Sequence, residues 1–273
     1  MQLSGIKMVM LAMLSANLAA CGAVLDGDED TAESAQAVTA STCAQFGTIN
    51  QGDYIVQANE WNSSLTQCIS STGASFQVST ANFNTPNGAP ATYPSIFKGC
   101  HWGQCTPGST SGMPVQVSAI ATATSSVSFN TAGAGAFDAA YDIWFNTTQT
   151  TPGQPNGTEI MIWASHGGFP QPFGSRVAQG VNINGASWDV WIGRASIWNV
   201  ISYVRNPPAS AVTLDLKPFM TDSISRGQLQ PSWFLLDIEF GFEIWTGGQG
   251  MAVNSFSATV TRSRSAGAAL APE

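Results

Sequence analysis

Hydrophobic and polar positions alternate along most of this chain. Tyr54–Gln57, Ser75–Val78, Val115–Val117, Ala140–Phe145, Glu159–Trp163, Trp188–Ile192 and Trp198–Val204 each show a period of two, and Leu235–Trp245 and Ala252–Val260 continue it. Such a period sends successive side chains to opposite faces, so these segments are predicted to be β-strands. Clusters rich in Gly, Pro, Asn and Ser separate them, as in T-P-N-G-A-P (85–90) and T-P-G-Q-P-N-G (151–157), and residues of this kind favour turns. One stretch breaks the rhythm: Leu214 to Ile224 places its apolar residues at helical spacing. Pro218 is tolerated in a first turn and Gly227 can end a helix, which predicts a single helix near 217–226. Many short strands and one short helix predict an all-β fold, an antiparallel two-sheet sandwich of jelly-roll type.

The first 42 residues do not follow this pattern. Residues 8–20 form a short apolar run behind Lys7, too short to span a bilayer comfortably and matched to the apolar core of a secretory signal. The run ends in Leu18-Ala19-Ala20-Cys21. This resembles a bacterial lipobox, in which the Cys becomes the lipidated first residue; an ordinary cleavage site with an incidental Cys is the alternative. Residues 22–42 hold five acids, no base and no aromatic residue. They offer little area to bury, and disorder is expected. The expected organisation is a signal peptide at 1–20, an acidic tether at 21–42 and one catalytic domain at 43–273. The mature protein is then secreted or at the cell surface. A lipid on Cys21 would be its membrane link, and Gly22 after it favours the outer membrane by resemblance to bacterial lipoproteins.

Alternation also sorts the acids. Glu159 shares a face with Met161 and Trp163, and Glu243 with Glu239, Gly241 and Trp245. Asp142 shares one with Trp144 and Asn146. Each segment therefore has one wholly apolar face and one that mixes carboxylates with indole or amide. The apolar faces suit packing between sheets. A Trp-bearing face is poorly suited to bulk water. It suits a sugar groove, where pyranose C–H faces stack on indole and hydroxyls bond to carboxylates and amides, so a concave substrate cleft is expected. Two carboxylates in such a groove can cleave a glycosidic bond, one protonating the leaving oxygen while the other attacks the anomeric carbon or activates water. The bland reading, two strand glutamates facing solvent, stays open on residues alone. Asp189 and Glu239 are read by default as structural or solvated.

Charge and cysteine content narrow the classes. From Cys43 onward there are twelve acids and eight bases, with no basic run, which argues against nucleic acid as a partner. No G-x-S-x-G or H-E-x-x-H occurs, and Gly133-Ala134-Gly135 lacks the third glycine of a nucleotide loop. If Cys21 carries lipid, Cys43, Cys68, Cys100 and Cys105 remain, an even number suited to an oxidising compartment. Three pairings are possible, and adjacency favours Cys43–Cys68 with Cys100–Cys105. Neither of the two His stands at ligand spacing with two Cys, so no metal is expected.

Several motifs now resemble glycoside hydrolase family 12, the small jelly-roll endoglucanases. T-E-I-M-I-W (158–163) resembles the nucleophile strand, G-F-E-I-W-T-G-G (241–248) the acid/base strand, and A-A-Y-D-I-W-F (139–145) the strand whose Asp touches the nucleophile. K-G-C-H-W-G-Q-C (98–105), the Trp61 segment before Q-C-I (67–69), and M-A-V-N-S-F-S (251–257) also match, in the family's order, over about Cys43 to Arg262. The resemblance implies Glu159 as nucleophile, Glu243 as general acid/base, and Asp142 hydrogen-bonded to Glu159. It implies substrate contacts from Asn59, Trp61, His101, Met161 and Trp163. Ala58-Asn59-Glu60-Trp61-Asn62 departs from the family's common N-N-x-W-G. The implied activity is a retaining endo-β-1,4-glucanase acting on β-glucan as a monomer, without cofactor. A xyloglucan-preferring endoglucanase and a non-catalytic glycan-binding protein are the alternatives.

Overall fold

The structure is a computed structural model that describes residues 39–61, 64–131 and 135–263. The signal segment, Cys21 and residues 22–38 of the expected tether lie outside the described residues. The last four tether residues do not fit the expectation of disorder. Thr39–Thr42 forms a strand antiparallel to Cys68–Thr72, and the following Cys43 is bonded to Cys68. Two β-branched Thr in four residues, tied by a disulfide to the head of the partner strand, explain why they pair.

The described strands form two principal sheets. The smaller runs in the order Thr39–Thr42, Cys68–Thr72, Phe76–Thr80, Ala252–Arg262, Ile120–Asn130, Ala211–Asp215. The larger runs Ser175–Ile183, Ala186–Ala195, Trp198–Asn206, Thr158–Gly167, Phe137–Asn146, Phe234–Ile244, Ser95–His101, Tyr54–Gln57, Thr48–Gln51. In both sheets a C-terminal strand is inserted between strands made much earlier. Pairing is antiparallel with one departure: Thr158–Gly167 and Trp198–Asn206 run parallel. The hairpin of Ser175–Ile183 and Ala186–Ala195 lies outside them, so the chain reverses twice before it returns beside the Glu159 strand.

The core lies between the sheets. Phe76 and Phe129 of the smaller sheet meet Phe242 and Phe240 of the larger, with ring centroids 5.9 and 5.1 Å apart, and Tyr141 packs edge-on to Phe240 at 5.0 Å. These are the apolar faces that alternation assigned. The helix forms at Lys217–Ser225 with Pro218 in its first turn, and Phe219 packs between Trp188 and Tyr203. A second, one-turn helix, Gly108–Ser111, was not expected; four small polar residues carry no apolar period.

Candidate active site

Register brings the mixed faces together. Phe137–Asn146 lies between the Glu159 strand and the Glu243 strand. Across it, Trp144 pairs with Glu159 on one side and Asp237 on the other. Asp142 pairs with Met161 and Glu239, Ala140 with Trp163 and Gly241, and Asp138 with Glu243. Cross-strand partners share a face. One concave surface therefore carries six carboxyls, from Asp138, Asp142, Glu159, Asp237, Glu239 and Glu243. A cleft of about 960 Å³ opens over it, and Glu159, Glu243, Asp142, Asn59, Trp61, His101, Met161 and Trp163 all line it.

Aromatic rings form its walls. Trp102 meets Trp144 edge-on at 5.0 Å, and Trp144 lies 5.9 Å from Trp198, a row that ends at Glu159. Trp198 Nε1 donates a 2.9 Å hydrogen bond to Glu159 Oε2. At one lip Trp61 is 45% exposed, which is the surface a stacking platform needs. Its indole N–H donates to Asn59 Oδ1 at 3.0 Å. Asn59 itself, at φ 43°, turns its carbonyl to receive the Tyr93 N–H at 3.0 Å. Trp102 sits in a hairpin closed by the Cys100–Cys105 disulfide. Trp245 Nε1 is held by the Gly88 carbonyl at 2.9 Å.

The two glutamates differ in surroundings. Both are raised above the ordinary carboxylate range, first by withdrawal from water. At Glu159 the Trp198 hydrogen bond opposes that rise, while the charges of Glu243 and Asp237 add to it. Glu243 is opposed by a hydrogen bond with Asp138. Asp142 is pushed well up by burial and then by the charge of Glu159. The hydrogen bond expected between Asp142 and Glu159 is replaced: Glu159 Oε2 is satisfied by Trp198, and Asp142 Oδ1 is buried without a partner. Register explains this, since Asp142 lies opposite Met161, two residues from Glu159.

Of the two readings given for Glu239, structural or solvated, the solvated one does not hold. It is fully buried on the cleft floor, held by Gln57 Nε2 and Ser95 Oγ. His101 Nδ1 stands 3.2 Å from Glu239 Oε2 and 3.4 Å from Asp237 Oδ2. These three are the one grouping among the described residues with the spacing to hold an ion. Burial lowers His101 while Glu239 raises it, and burial raises both acids, so protons offset much of the charge. Asp189, by contrast, pairs at 3.2 Å with the half-exposed Arg176, on a strand outside the central three. Sequence reasoning missed Asp138, Asp237, Trp102 and Trp198. For the two acids the signal was present, since both continue the alternation of Asp142 and Glu239. For Trp198 it was not, because its role arises from the parallel pairing.

Comparison with known proteins places this geometry. The family model for glycosyl hydrolase family 12 matches residues 52–261. The probable cellulase Cel12b of Mycobacterium tuberculosis is 36% identical over 148 residues, covering 54% of this chain and 97% of that protein. A probable xyloglucan-specific endo-beta-1,4-glucanase A of Aspergillus fumigatus is 27% identical over 241 residues, covering 84% and 94%. Among solved structures, the endoglucanase cel12A from Rhodothermus marinus superposes with a TM-score of 0.77 at 37% identity, covering 82% of this chain and 100% of that one. With two glutamates flanking one strand in an aromatic cleft, and a match that spans nearly the whole folded unit, this chain belongs to glycosyl hydrolase family 12.

Proposed function

We propose that the protein is a retaining endo-β-1,4-glucanase. The observation that carries this is the placement of Glu159 and Glu243 on strands that flank Phe137–Asn146, both lining one cleft and each within reach of the other's charge. Glu159 attacks the anomeric carbon while Glu243 protonates the departing oxygen, giving a glycosyl ester on Glu159. Glu243, now a carboxylate, takes a proton from the water that hydrolyses it. The charge of Glu243 is felt at Glu159 and raises it. The reacting form has Glu159 ionised and Glu243 protonated, and the Trp198 hydrogen bond favours it. Asn59, Trp61, His101, Met161 and Trp163 would grip the chain. A xyloglucan-preferring enzyme is the second reading, supported by the Aspergillus relative. The apolar run at 8–20, Cys21 and the two disulfides support export, with lipid attachment at Cys21.

Proton NMR of fresh product tests the mechanism. Hydrolysis of carboxymethyl cellulose, mixed-linkage glucan and xyloglucan, side by side, is expected to release the β-anomer first. An initial α-anomer rejects Glu159 as nucleophile, and no release from any of the three rejects catalysis.

A further inference from the structure

Asp138 has no task in that mechanism. It is fully buried on the cleft face, and register sets it opposite Glu243. The two carboxyls are in hydrogen-bond contact, and the Glu243 backbone N–H also reaches Asp138; among the described residues no other side chain donates to either Asp138 oxygen. Two ionised carboxylates cannot bond in this way; one must carry a proton. Among the described residues, the groups around them supply no fixed positive charge. Asp142 lies four residues along the same strand. Tyr93 packs from the segment before Ser95–His101, its hydroxyl donating to the Ala140 carbonyl at 3.0 Å. Glu159 faces Glu243 from the far flanking strand, and on that side Asp138's own register partner is His166, which is exposed.

We propose that Asp138 and Glu243 share a proton, and that Asp138 is a positioning residue that sets the pH range in which Glu243 serves as acid and then as base. This rests on the catalytic role given to Glu243 above. In the first step the Glu243 O–H bond and the glycosidic C–O bond break, and an O–H bond forms on the leaving alcohol. Asp138 keeps its own proton and hydrogen-bonds the new Glu243 carboxylate. In the second step Glu243 takes a proton from the attacking water, with Asp138 unchanged. A carboxylic O–H is a strong donor to an anion. Glu243 therefore releases its proton at lower pH than it would beside a weaker, neutral donor. The directions agree: burial and the Glu243 charge hold the Asp138 proton in place, while the contact draws Glu243 down.

Asp138→Asn keeps the shape, replaces O–H by N–H and removes one ionisation. It is expected to move the alkaline limb of kcat/KM upward, on the order of one pH unit. Carboxyl ¹³C NMR of the wild type is expected to show Asp138 and Glu243 responding together in two steps, and Glu243 in the variant in one step at higher pH. Independent single steps in the wild type, or an unmoved limb in an active variant, overturn the proposal. The titration needs no turnover. A wild type with coupled titration that hydrolyses no β-glucan overturns the glucanase reading and leaves the shared proton standing.

Discussion

Glu159 and Glu243 flank the same strand, and burial raises both. Their immediate partners are opposite in kind. Glu159 receives an indole N–H, a donor that cannot ionise at working pH and always favours the carboxylate. Glu243 faces another carboxyl, which when protonated can donate to a carboxylate and accept from an acid. A nucleophile must stay ionised through the first step, whereas an acid/base must change state twice. A fixed donor suits the first task, and a partner able both to donate and to accept suits the second. Two similar residues are separated in role by what stands across the strand from them.

The sharpest way to break this comparison is to delete each carboxylate. Glu159→Ala is expected to cost on the order of 10⁴–10⁶ in kcat, whatever the leaving group. Glu243→Ala should cost about 10²–10⁴ on cellulose oligomers. It should cost far less for the first step on an aryl glucoside that departs without protonation. There the glycosyl-enzyme should accumulate, and azide should restore turnover with a β-glycosyl azide. Azide rescue of Glu159→Ala should give the α-azide instead. Product NMR separates the two, and equal behaviour of the variants would erase the distinction.

A smaller change sharpens it. Trp198→Phe keeps the ring in the row with Trp144 and removes the N–H. The lost hydrogen bond favoured ionised Glu159, so the acid limb of kcat/KM should rise by about one pH unit, with little change on the alkaline side. The mildest effect is on stability, and it involves Glu159 together with the buried Glu239 of the cleft floor. Glu159 is raised to about 8 and Glu239 to about 7, and an acid whose folded value is raised favours the fold in its protonated form. That stability is complete below the unfolded value, near 4.5 for Glu, and is lost as pH rises through the folded one. The melting temperature should therefore fall by a few degrees between about pH 5 and pH 8. Scanning calorimetry checks this, and a melting temperature that rises across the window contradicts it.

Alternation made much of this legible. Tyr54–Gln57, Trp198–Asn206 and the three central strands could be read because one face is apolar and the other mixed. Ser95–His101 escaped because both of its faces are covered and every residue is buried, leaving no alternation to read. Ile120–Asn130 escaped for a different reason. Its outward positions up to the terminal Asn130 are Ser, Thr and Ala, and Ala123 and Ser125 lie inward, so the two faces contrast little. Within the site, the eight residues assigned from sequence do line one cleft. The Asp138–Glu243 and Trp198–Glu159 pairings could not be seen, because they depend on which strands lie side by side and in which register.

The inserted C-terminal strands bear on how the protein is made. Phe234–Ile244 fills the place between Phe137–Asn146 and Ser95–His101, and Ala252–Arg262 the place between Phe76–Thr80 and Ile120–Asn130. A nascent chain that has reached residue 230 holds neither. Both sheets are then split near the middle, each with two unpaired inner edges that invite pairing with other chains. The last strands join segments between 88 residues (Asn146 to Phe234) and 177 residues (Phe76 to Val253) away, contacts that close slowly. The ribosome thus delivers the nucleophile strand long before the acid, and the same late insertion that heals both sheets brings Glu243 to its partners.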